Sequence, residues 1–470
     1  MSNLFLILPI ETKVREFHAK LLLSCFAAEA GLRVILGDQN EILRYLKYLP
    51  RGIYVDKSVA RTKIAKFKKN VRMGNRVVAW CEEGLIFLDP NAYLKERISV
   101  EAFNLVNFFF AWGKIQAETI KTKVGPENDK IVCTGNPRFD LLRDPYRRIF
   151  VPEADRIRSN YGPFILINTN FARYNHFYGR DFVIRTMKEQ GRIRSDEDEA
   201  FFVGWSDYLG EMFRYFVDMV DHMSRSFPEY TIVVRPHPSE SQEIWKKKTG
   251  MFENVRVIHE GNAIPWIMAS EVMIHNGCTT GVEAYILDEP VLCYCPISSA
   301  TYDSELPNAV SAKTSSIDDL ERLVRSVLKE PFGLAERRRE DKGIKGLLVP
   351  YLSGFNGPTA CTNIVSALQR IEVKGCAGKE TENEPCIPAS ARLISESAIR
   401  LKGIAKRVIK GNPGLEGYLK QKFAGLTFDE VKDVLNRLRD ISGAFKSVEV
   451  KPLVGSRSCF LLYRDSEGLE

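Results

Sequence analysis

A repeated alternation of short apolar runs with stretches of helical spacing constrains the fold of this chain more than any other feature. Residues 4–9 predict a buried strand, residues 13–30 have helical spacing, and Gly31 ends that helix before a second strand at 32–36. Further strands of the first half are predicted at 52–55, 76–80, 109–112 and 130–133. Because strands separated by helices favour parallel pairing, we expect a doubly wound, Rossmann-like α/β domain over residues 1–145.

A second series of the same kind follows residues 139–155, a polar and basic stretch that we interpret as a hinge or linker. Its strands are predicted at 164–168, 230–235, 255–258, 272–274 and 290–294, with a long amphipathic helix over 207–227. Residues 357–371 are predicted to close this second α/β domain, which we place at 146–371. Two such domains would face a cleft, and ligands favour the carboxyl ends of parallel strands.

The remaining residues, 372–470, are predicted to form a linker and a mainly helical extension of unknown role. Residues 374–388 are rich in Gly, Glu and Pro, whereas 392–422 and 429–438 have helical character. Basic residues far outnumber the single Glu over 400–422. That segment is either a solvated helical face or a contact for anionic lipid or a partner.

Composition excludes several classes of protein. The chain of 470 residues is 44% hydrophobic and 27% charged, which is ordinary for a globular protein and excludes a disordered or fibrous one. A formal net charge of +7 permits an anionic partner without requiring nucleic acid. Scattered cysteines without a CxxC pair, a signal peptide or an 18-residue apolar window favour reduced thiols and a cytoplasmic location. The basic C-terminal segment is the candidate for peripheral contact with the inner face of the membrane.

The motif Arg235-Pro236-His237-Pro238 directly follows a predicted strand. The two prolines hold the histidine in an extended backbone that cannot continue into a helix. Because an imidazole titrates near neutral pH, His237 can bind a phosphate or protonate a leaving group. We expect Arg235 and Pro238 to contribute to donor or phosphate binding; the simpler interpretation is a surface turn with an incidental histidine.

A second motif, His-Asn-Gly-Cys-Thr-Thr-Gly-Val-Glu-Ala at 275–284, follows a predicted strand and opens a helix. Small residues let the backbone approach a ligand, and Thr hydroxyls and free helix N–H groups then face an anion. The alternative is a capped helix with Gly for tight packing against the sheet, and the Gly-Lys-Ser/Thr of a Walker loop is missing. The candidate donor- or phosphate-binding residues, with the Glu for a ribose hydroxyl, are Asn276, Gly277, Thr279, Thr280, Gly281 and Glu283.

The third motif is Trp80-Cys81-Glu82-Glu83-Gly84, at the carboxyl end of a first-half strand. Two adjacent, partly desolvated carboxyl groups raise each other's pKa, which makes Glu82 a candidate general base. Glu83 and Gly84 would be neighbouring cleft contacts. Alone the pattern is weak, because surface Glu-Glu-Gly sequences are common.

Other candidate site residues and segments give weaker indications of function. Asn168 and Asn170 end the first strand of the second half and point toward the expected cleft. Arg15, on a helix whose Glu and Lys residues favour a salt-bridged face, is a further cleft contact. Residues 134–140 are expected to shape the hinge, and the acidic run 195–199 is a solvated loop or helix cap rather than a metal site. No histidine spacing predicts a metal ion, and no cofactor is expected.

The order acid-acid-Gly, His-Pro, then a hydroxyl pair at a helix start resembles bacterial sialyltransferases and polysialyltransferases, and the capsular Kdo transferases. The matching residues are Glu82-Glu83-Gly84, His237-Pro238 and Thr279-Thr280; the sialyltransferase pair usually begins with Ser, whereas here it begins with Thr. The chain is more closely similar to the "surface carbohydrate biosynthesis protein" group of bacterial glycosyltransferases. That likeness covers residues 1–371. Its motifs are Glu11…Lys13…Arg15-Glu16, Thr134-Gly135-Asn136-Pro137-Arg138, Arg235-Pro236-His237-Pro238 and Gly277-Cys278-Thr279-Thr280-Gly281…Glu283-Ala284.

The resemblance implies a GT-B fold, in which the first Rossmann-like domain holds the acceptor and the second holds the nucleotide donor. It implies metal-independent transfer from a CMP-activated 2-keto sugar acid, such as Kdo or a sialic-acid-like sugar. By position, Glu82 would deprotonate the acceptor hydroxyl. His237 would bind and protonate the departing phosphate, and Thr279 and Thr280 would hold it.

The sequence therefore predicts a glycosyltransferase that adds a sugar to a bacterial surface polysaccharide, such as a capsule or lipopolysaccharide glycan. A CDP-glycerol-dependent glycerophosphotransferase of teichoic-acid-like polymers keeps the fold and changes the donor. A non-catalytic assembly protein of the same fold is the alternative outside enzymes. UDP-sugar epimerases share the architecture, but their active-site acids have less support in this chain.

Overall fold

A computed structural model of the chain describes residues 4–373, 385–392, 423 and 425–465. The described residues form two compact units. The first unit is drawn from Met1–Gly84, Arg97–Ile149 and Tyr351–Glu470, and the second from Leu85–Glu96 and Phe150–Pro350. The chain therefore contributes a short segment, Leu85–Glu96, to the second unit and returns to the first unit at Arg97. It passes to the second unit again at Phe150 and returns to the first at Tyr351.

The first unit is built on an eight-stranded sheet in the order β13-β14-β2-β1-β3-β4-β5-β6. Six of these strands pair in parallel, and helices separate them along the chain, as the alternation predicts. All six residues of β1 are buried, which is typical of a parallel strand covered on both faces. The strands are β1 (Phe5–Ile10), β2 (Arg33–Asp38), β3 (Gly52–Asp56), β4 (Arg76–Ala79), β5 (Phe108–Ala111), β6 (Ile131–Cys133), β13 (Val448–Pro452) and β14 (Cys459–Arg464).

The second unit contains a six-stranded, fully parallel sheet in the order β12-β11-β10-β7-β8-β9. One face packs on a long helix whose apolar side chains join Phe171 and Trp245 in a single core cluster. The strands are β7 (Phe164–Asn168), β8 (Thr231–Arg235), β9 (Val255–Val257), β10 (Val272–His275), β11 (Val291–Tyr294) and β12 (Ala312–Thr314).

The helices alternate with the strands. Those before β7 are α1 (Lys13–Glu29), α2 (Gln39–Tyr45), α3 (Ile64–Arg72), α4 (Pro90–Arg97), α5 (Val100–Asn104), α6 (Lys114–Val124), α7 (Pro137–Asp140) and α8 (Val151–Tyr161). Those of the second half are α9 (Arg180–Glu189), α10 (Asp196–Ser226), α11 (Gln242–Thr249), α12 (Ala263–Ala269), α13 (Thr279–Ile286), α14 (Glu305–Val310), α15 (Ile317–Lys329), α16 (Pro331–Glu340) and α17 (Lys342–Leu348). The last two are α18 (Ala360–Leu368) and α19 (Phe428–Ser442), and short 3₁₀ turns lie at Leu46–Tyr48, Arg61–Lys63 and Tyr146–Phe150. Among the described residues, no helix combines the length and the apolar character that crossing a bilayer requires.

The predicted fold class, two Rossmann-like α/β units with mainly parallel sheets, is confirmed. Each strand predicted from the apolar runs is present within about two residues of its expected bounds. The helix predicted at 207–227 is longer, because it starts at Asp196. Ser195 caps it by accepting the backbone N–H of Asp198, so the acidic run 195–199 is a helix start, as expected.

Residues 139–155 contain the point at which the chain passes from the first unit to the second, between Ile149 and Phe150, as the linker interpretation expects, and they are structured. They contain the end of α7, the turn Tyr146–Phe150 and the start of α8. The buried carboxylate of Asp140 accepts the N–H groups of Ala360 and Cys361 at 2.9 and 2.8 Å and thereby caps α18. Because of this cap, α18 packs on α1 and α7 in the first unit, whereas the sequence analysis places residues 357–371 in the second domain.

The C-terminal region adds two strands that the sequence analysis does not predict. After α19, β13 and β14 form an antiparallel pair, and β14 continues the first sheet beside β2, with Phe460 opposite Leu36. The carboxylate of Glu41 holds the incoming turn by accepting the N–H groups of Arg457 and Ser458, both at 2.9 Å. This region is part of the first unit rather than a separate extension. Residues 374–384 of the linker predicted at 374–388, and the basic segment 400–422, lie outside the described residues, so their roles stay predictions.

Candidate functional site

The candidate donor site lies at the carboxyl ends of three neighbouring strands of the second unit. In register, Asn168 at the end of β7 is opposite Arg235 of β8 on one side and His275 of β10 on the other. The loops that follow these strands are therefore adjacent in space, as the parallel topology requires. They carry the Asn168–Asn170, His237 and Asn276–Thr280 candidates at one edge of the sheet, where ligands of such sheets bind.

A buried carboxylate that the sequence analysis missed joins two of these loops. Glu240 is 3% exposed. One of its oxygens accepts the hydroxyl of Thr169 at 2.9 Å, the N–H of Phe171 at 2.8 Å and the N–H of His237 at 3.1 Å. The other oxygen accepts the indole N–H of Trp245 at 2.9 Å. Burial raises the pKa of Glu240 above its usual value, although these four donors oppose the shift.

His237 is half-buried, and its ring orientation is set by a local hydrogen bond. The backbone N–H of Ser239 donates to Nδ1 at 3.2 Å. In the neutral imidazole the proton consequently resides on Nε2, the tautomer that can donate a hydrogen bond to a phosphate oxygen. Pro238 is exposed beside it. The geometry is compatible with the predicted role of His237 at a departing anion.

Arg235 has structural partners. Its guanidinium, 6% exposed, donates to the carbonyls of Glu260 and Gly261, both at 2.7 Å. Burial lowers its pKa to about 10. Nearby, His259 donates from Nδ1 to the carbonyl of Pro236 at 2.9 Å, and burial and the Arg235 charge lower the pKa of His259 to about 4. Arg235 therefore braces the loops after β8 and β9, and its predicted phosphate contact stays a prediction.

The start of α13 has the geometry expected of an anion-binding turn. The helix begins at Thr279, and its N-cap residue, Cys278, makes no side-chain capping hydrogen bond. Gly277 adopts φ +80, a left-handed conformation that favours glycine. Thr279 and Thr280 are partly exposed. The N-terminal N–H groups of such a helix favour negative charge.

Asn276 links this turn to the loop after β7. Its Oδ1 accepts the backbone N–H of Asn170 at 2.9 Å. The other atom of this amide, Nδ2, is buried and has no hydrogen-bond partner among the described residues. Oδ1 of Asn168, a residue that is 4% exposed, is likewise buried without a partner among the described residues. Buried polar atoms are nearly always paired in folded proteins. Two unpaired amide atoms at this edge therefore indicate where a polar ligand would bind.

Gly281 and Glu283 lie on the inner side of α13. A Cβ at Gly281 would be 2.5 Å from Nε2 of His275, so this glycine permits the close packing of helix on sheet that the simpler interpretation foresees. His275 is fully buried: Gly277 N–H donates to its Nδ1, and its Nε2 contacts the Ser311 hydroxyl at 2.7 Å. Burial lowers the pKa of His275 to about 3. Glu283 is also buried, so its predicted contact with a ribose hydroxyl stays a prediction.

The candidate base lies in the first unit, immediately after β4. Glu82 is half-buried and accepts the indole N–H of Trp80 at 2.7 Å. Glu83 is exposed and pairs with Arg97. Gly84 is buried, and a Cβ there would collide with the Gln116 side chain, so close packing explains this glycine.

Beside Glu82, the carboxyl ends of β1 and β3 bring together an ion cluster. Glu16 is 3% exposed; its carboxylate accepts the N–H groups of Glu11 and Thr12 and pairs with Lys20 at 2.7 Å and Lys57 at 3.2 Å. Burial alone would raise the pKa of Glu16, but the two lysines lower it to about 2. This cluster confirms the salt-bridged face expected of α1 and adds a residue the sequence analysis missed, Lys57.

Lys57 is the link between this cluster and the candidate base. Burial lowers its pKa, but the carboxylates of Glu16, Glu11 and Glu82 outweigh burial and leave it raised. The sequence position of Lys57, directly after β3, could have identified it as a candidate site residue, because parallel strands present their carboxyl-terminal residues at one edge. Arg15 is half-buried on the same helix as Glu16.

The predicted residues thus fall into two groups. His237, Asn168, Asn170, Asn276, Thr279 and Thr280 share one edge of the second unit, whereas Glu82, Glu83, Gly84 and Arg15 belong to the first. That both groups serve one cavity stays a prediction. Within the part of the chain that the structure describes, no group of three or more His, Cys, Asp or Glu is placed to hold a metal ion.

Comparison with known proteins gives similarity at the level of fold. No protein-family model and no curated protein sequence matches the chain.

Among solved structures, Staphylococcus aureus MnaA with UDP is 14% identical, covers 78% of this chain and 96% of its own, and has a TM-score of 0.43. A variant of the wall teichoic acid polymerase TagF is 11% identical with 78% and 88% coverage and a TM-score of 0.49. Methanocaldococcus jannaschii UDP-GlcNAc 2-epimerase with UDP-GlcNAc and UDP is 14% identical, with 78% and 99% coverage and a TM-score of 0.45. Similarity at this level does not say what this chain does.

Proposed function

We propose that this protein is a metal-independent glycosyltransferase that moves a sugar from a nucleotide-activated donor to a hydroxyl group of a bacterial surface polysaccharide. The observation that supports this most directly is the buried side-chain amide group of Asn276. Its Nδ2–H has no acceptor among the described residues and lies at the start of α13, where the N-cap side chain makes no capping hydrogen bond. An N–H donor beside a helix N-terminus suits a phosphate oxygen. A nucleotide phosphate is the expected ligand.

The proposed reaction divides the work between two residues. The C–O bond between the donor sugar and the nucleotide phosphate breaks, and its electron pair leaves with the phosphate. The Nε2–H of His237 and the N–H groups at the start of α13 stabilise the growing negative charge. Glu82 accepts the proton of the acceptor hydroxyl as its oxygen forms the new glycosidic bond. The proposed donor is a CMP-activated 2-keto sugar acid.

The test is a nucleotide and donor screen with the whole chain. We expect CMP to raise Tm more than CDP, UDP or GDP, because the site would bind the product of transfer. Release of CMP from CMP-Kdo or CMP-sialic acid, with a glycan acceptor, would support the proposal. Turnover of CDP-glycerol instead would assign the glycerophosphotransferase, since that reaction also releases an anionic nucleotide. If none of these nucleotides binds and no donor is consumed, the non-catalytic alternative is favoured.

A further inference from the structure

A cavity of about 460 Å³ lies in the second unit, and none of the candidate site residues lines it. Its walls come from α4 and the two residues before it, from Arg192 and the first turns of α10, and from residues 300–301 after β11. The volume is within the range of small-molecule pockets, roughly 300–1,000 Å³. The cavity is thus large enough for a ligand of its own.

The charges of the wall are largely compensated within the protein. Lys95 pairs with Asp198 at 2.6 Å, and the second oxygen of Asp198 accepts the backbone N–H of Arg194 at 3.1 Å. Glu96 pairs with Arg173 at 3.6 Å. Asp89 and Glu197 add further carboxylates. A phosphate-rich ligand would meet these carboxylates, so the wall disfavours a nucleotide.

Two aromatic side chains, Phe201 and Phe202, line the cavity, and Phe201 lies edge-on to Phe202 with ring centroids 5.3 Å apart. Outside the wall, the ring of Tyr302 lies 5.6 Å from that of Phe201, and the guanidinium of Arg173 lies 3.9 Å from the ring of Trp205. Aromatic rings combined with carboxylate and amide oxygens match a sugar residue, which presents an apolar C–H face and a rim of hydroxyls.

The cavity is connected to both candidate groups by short stretches of chain. Its first wall residue, Leu88, follows Glu82 by six positions. Arg173, which lies outside the wall but pairs with the wall residue Glu96, follows Asn168, at the end of β7, by five. On this basis, and resting on the function proposed above, we propose that the cavity binds an uncharged sugar residue of the acceptor glycan.

The experiment fills the cavity and measures glycan binding without any donor. Ala92 and Thr301 line the cavity and are partly exposed or exposed, so Ala92→Trp and Thr301→Trp add bulk without removing core packing. Ala200, exposed on α10 and outside the wall, provides the matched control Ala200→Trp. Saturation-transfer NMR with chitotriose, maltotriose and mannotriose reports binding, thermal unfolding checks each fold, and CMP binding is measured in parallel.

We expect the unmodified protein to bind at least one of these trisaccharides. Either filling variant should weaken that binding at least tenfold, and Ala200→Trp should leave it unchanged. Absence of binding by all three sugars, equal binding by the filled variants, or displacement of the sugar by CMP would overturn the proposal. If the filled variants still bind CMP, a failure of the sugar-binding proposal can be told apart from a failure of the proposed function.

Discussion

The carboxylate of Glu240 accepts the backbone N–H of His237 at 3.1 Å, and the same oxygen accepts the hydroxyl of Thr169. One buried group thereby ties the loop after β8 to the loop after β7. His237 is on the loop after β8, and Asn170 is on the loop after β7, so their separation depends on Glu240. We infer that Glu240 is a positioning residue for His237.

Glu240→Gln tests this role. An amide keeps one acceptor oxygen but turns an N–H group toward one of the four donors, so we expect a loss of about 1–3 kcal/mol in the free energy of unfolding. We also expect kcat to fall at least tenfold with little change in KM for the donor, together with an altered pH profile. Glu243→Gln, three residues along and paired with Lys246 in a surface ion pair, is the control. Equal kinetics for the two variants would contradict the positioning role.

The candidate base is tested by Glu82→Gln. Loss of a general base typically costs 10²–10⁴-fold in rate, so we expect transfer to fall by that factor while nucleotide binding survives. Glu83→Gln, which changes the adjacent exposed carboxylate, should keep most activity. The measurements are the initial transfer rate and the thermal shift with CMP. Full activity of Glu82→Gln would remove Glu82 from the mechanism.

Asn276→Asp tests the proposed phosphate contact. The variant keeps the oxygen that accepts the N–H of Asn170 and replaces the unpaired N–H group by an oxygen that carries negative charge. Repulsion of the phosphate should weaken CMP binding at least tenfold, or about 1.4 kcal/mol, as measured by calorimetry. Unchanged affinity would place the nucleotide elsewhere.

Close packing between α13 and the sheet is tested by Gly281→Ala. The added methyl group would lie 2.5 Å from Nε2 of the buried His275, and we expect destabilisation of about 1–3 kcal/mol. Gly346→Ala, also in a helix but with nothing within 4 Å of its added methyl group, should stabilise by about 0.5–1 kcal/mol. Chemical denaturation measures both. A similar effect of the two substitutions would disprove the packing argument.

The ion cluster around Glu16 predicts a pH dependence of stability. The folded pKa of about 2 lies below the ordinary value of 4.5, so the pairs with Lys20 and Lys57 stabilise the protein above about pH 4.5. This contribution, about 3 kcal/mol, should be lost as the pH falls toward 2. Glu16→Gln should be less stable than the unmodified protein at pH 7 because it leaves Lys20 buried without its partner. The difference between the two proteins, followed by urea unfolding, should shrink between pH 4.5 and 2; a constant difference would contradict the assignment.

The C-terminal strands show where local pattern stops being informative. In β13, residues 448–451 alternate buried and partly exposed side chains, as a half-exposed strand does. Yet β14 pairs with β2, whose residues precede it by more than 400 positions. The local sequence of β14 does not predict that it pairs with β2. The pairing depends on the open edge of the first sheet and on Glu41, which holds the turn at Arg457 and Ser458.

The amino-acid sequence by itself determined the two parallel α/β units and the motifs at their strand ends, because hydrophobic periodicity and proline or glycine punctuation act over a few residues. It also placed His237 and the start of α13 beside the same sheet edge. Only the tertiary structure decided what surrounds them: Glu240 beneath His237, Lys57 beside Glu82, carbonyl partners for the Arg235 guanidinium, and Asp140 at the start of α18. Glu240 and His237 lie three residues apart in one loop, and Glu240 is held there by Thr169 of the loop after β7. The other contacts depend on the approach of groups from separate elements, where burial makes an unpaired charge or N–H costly and so selects its partner.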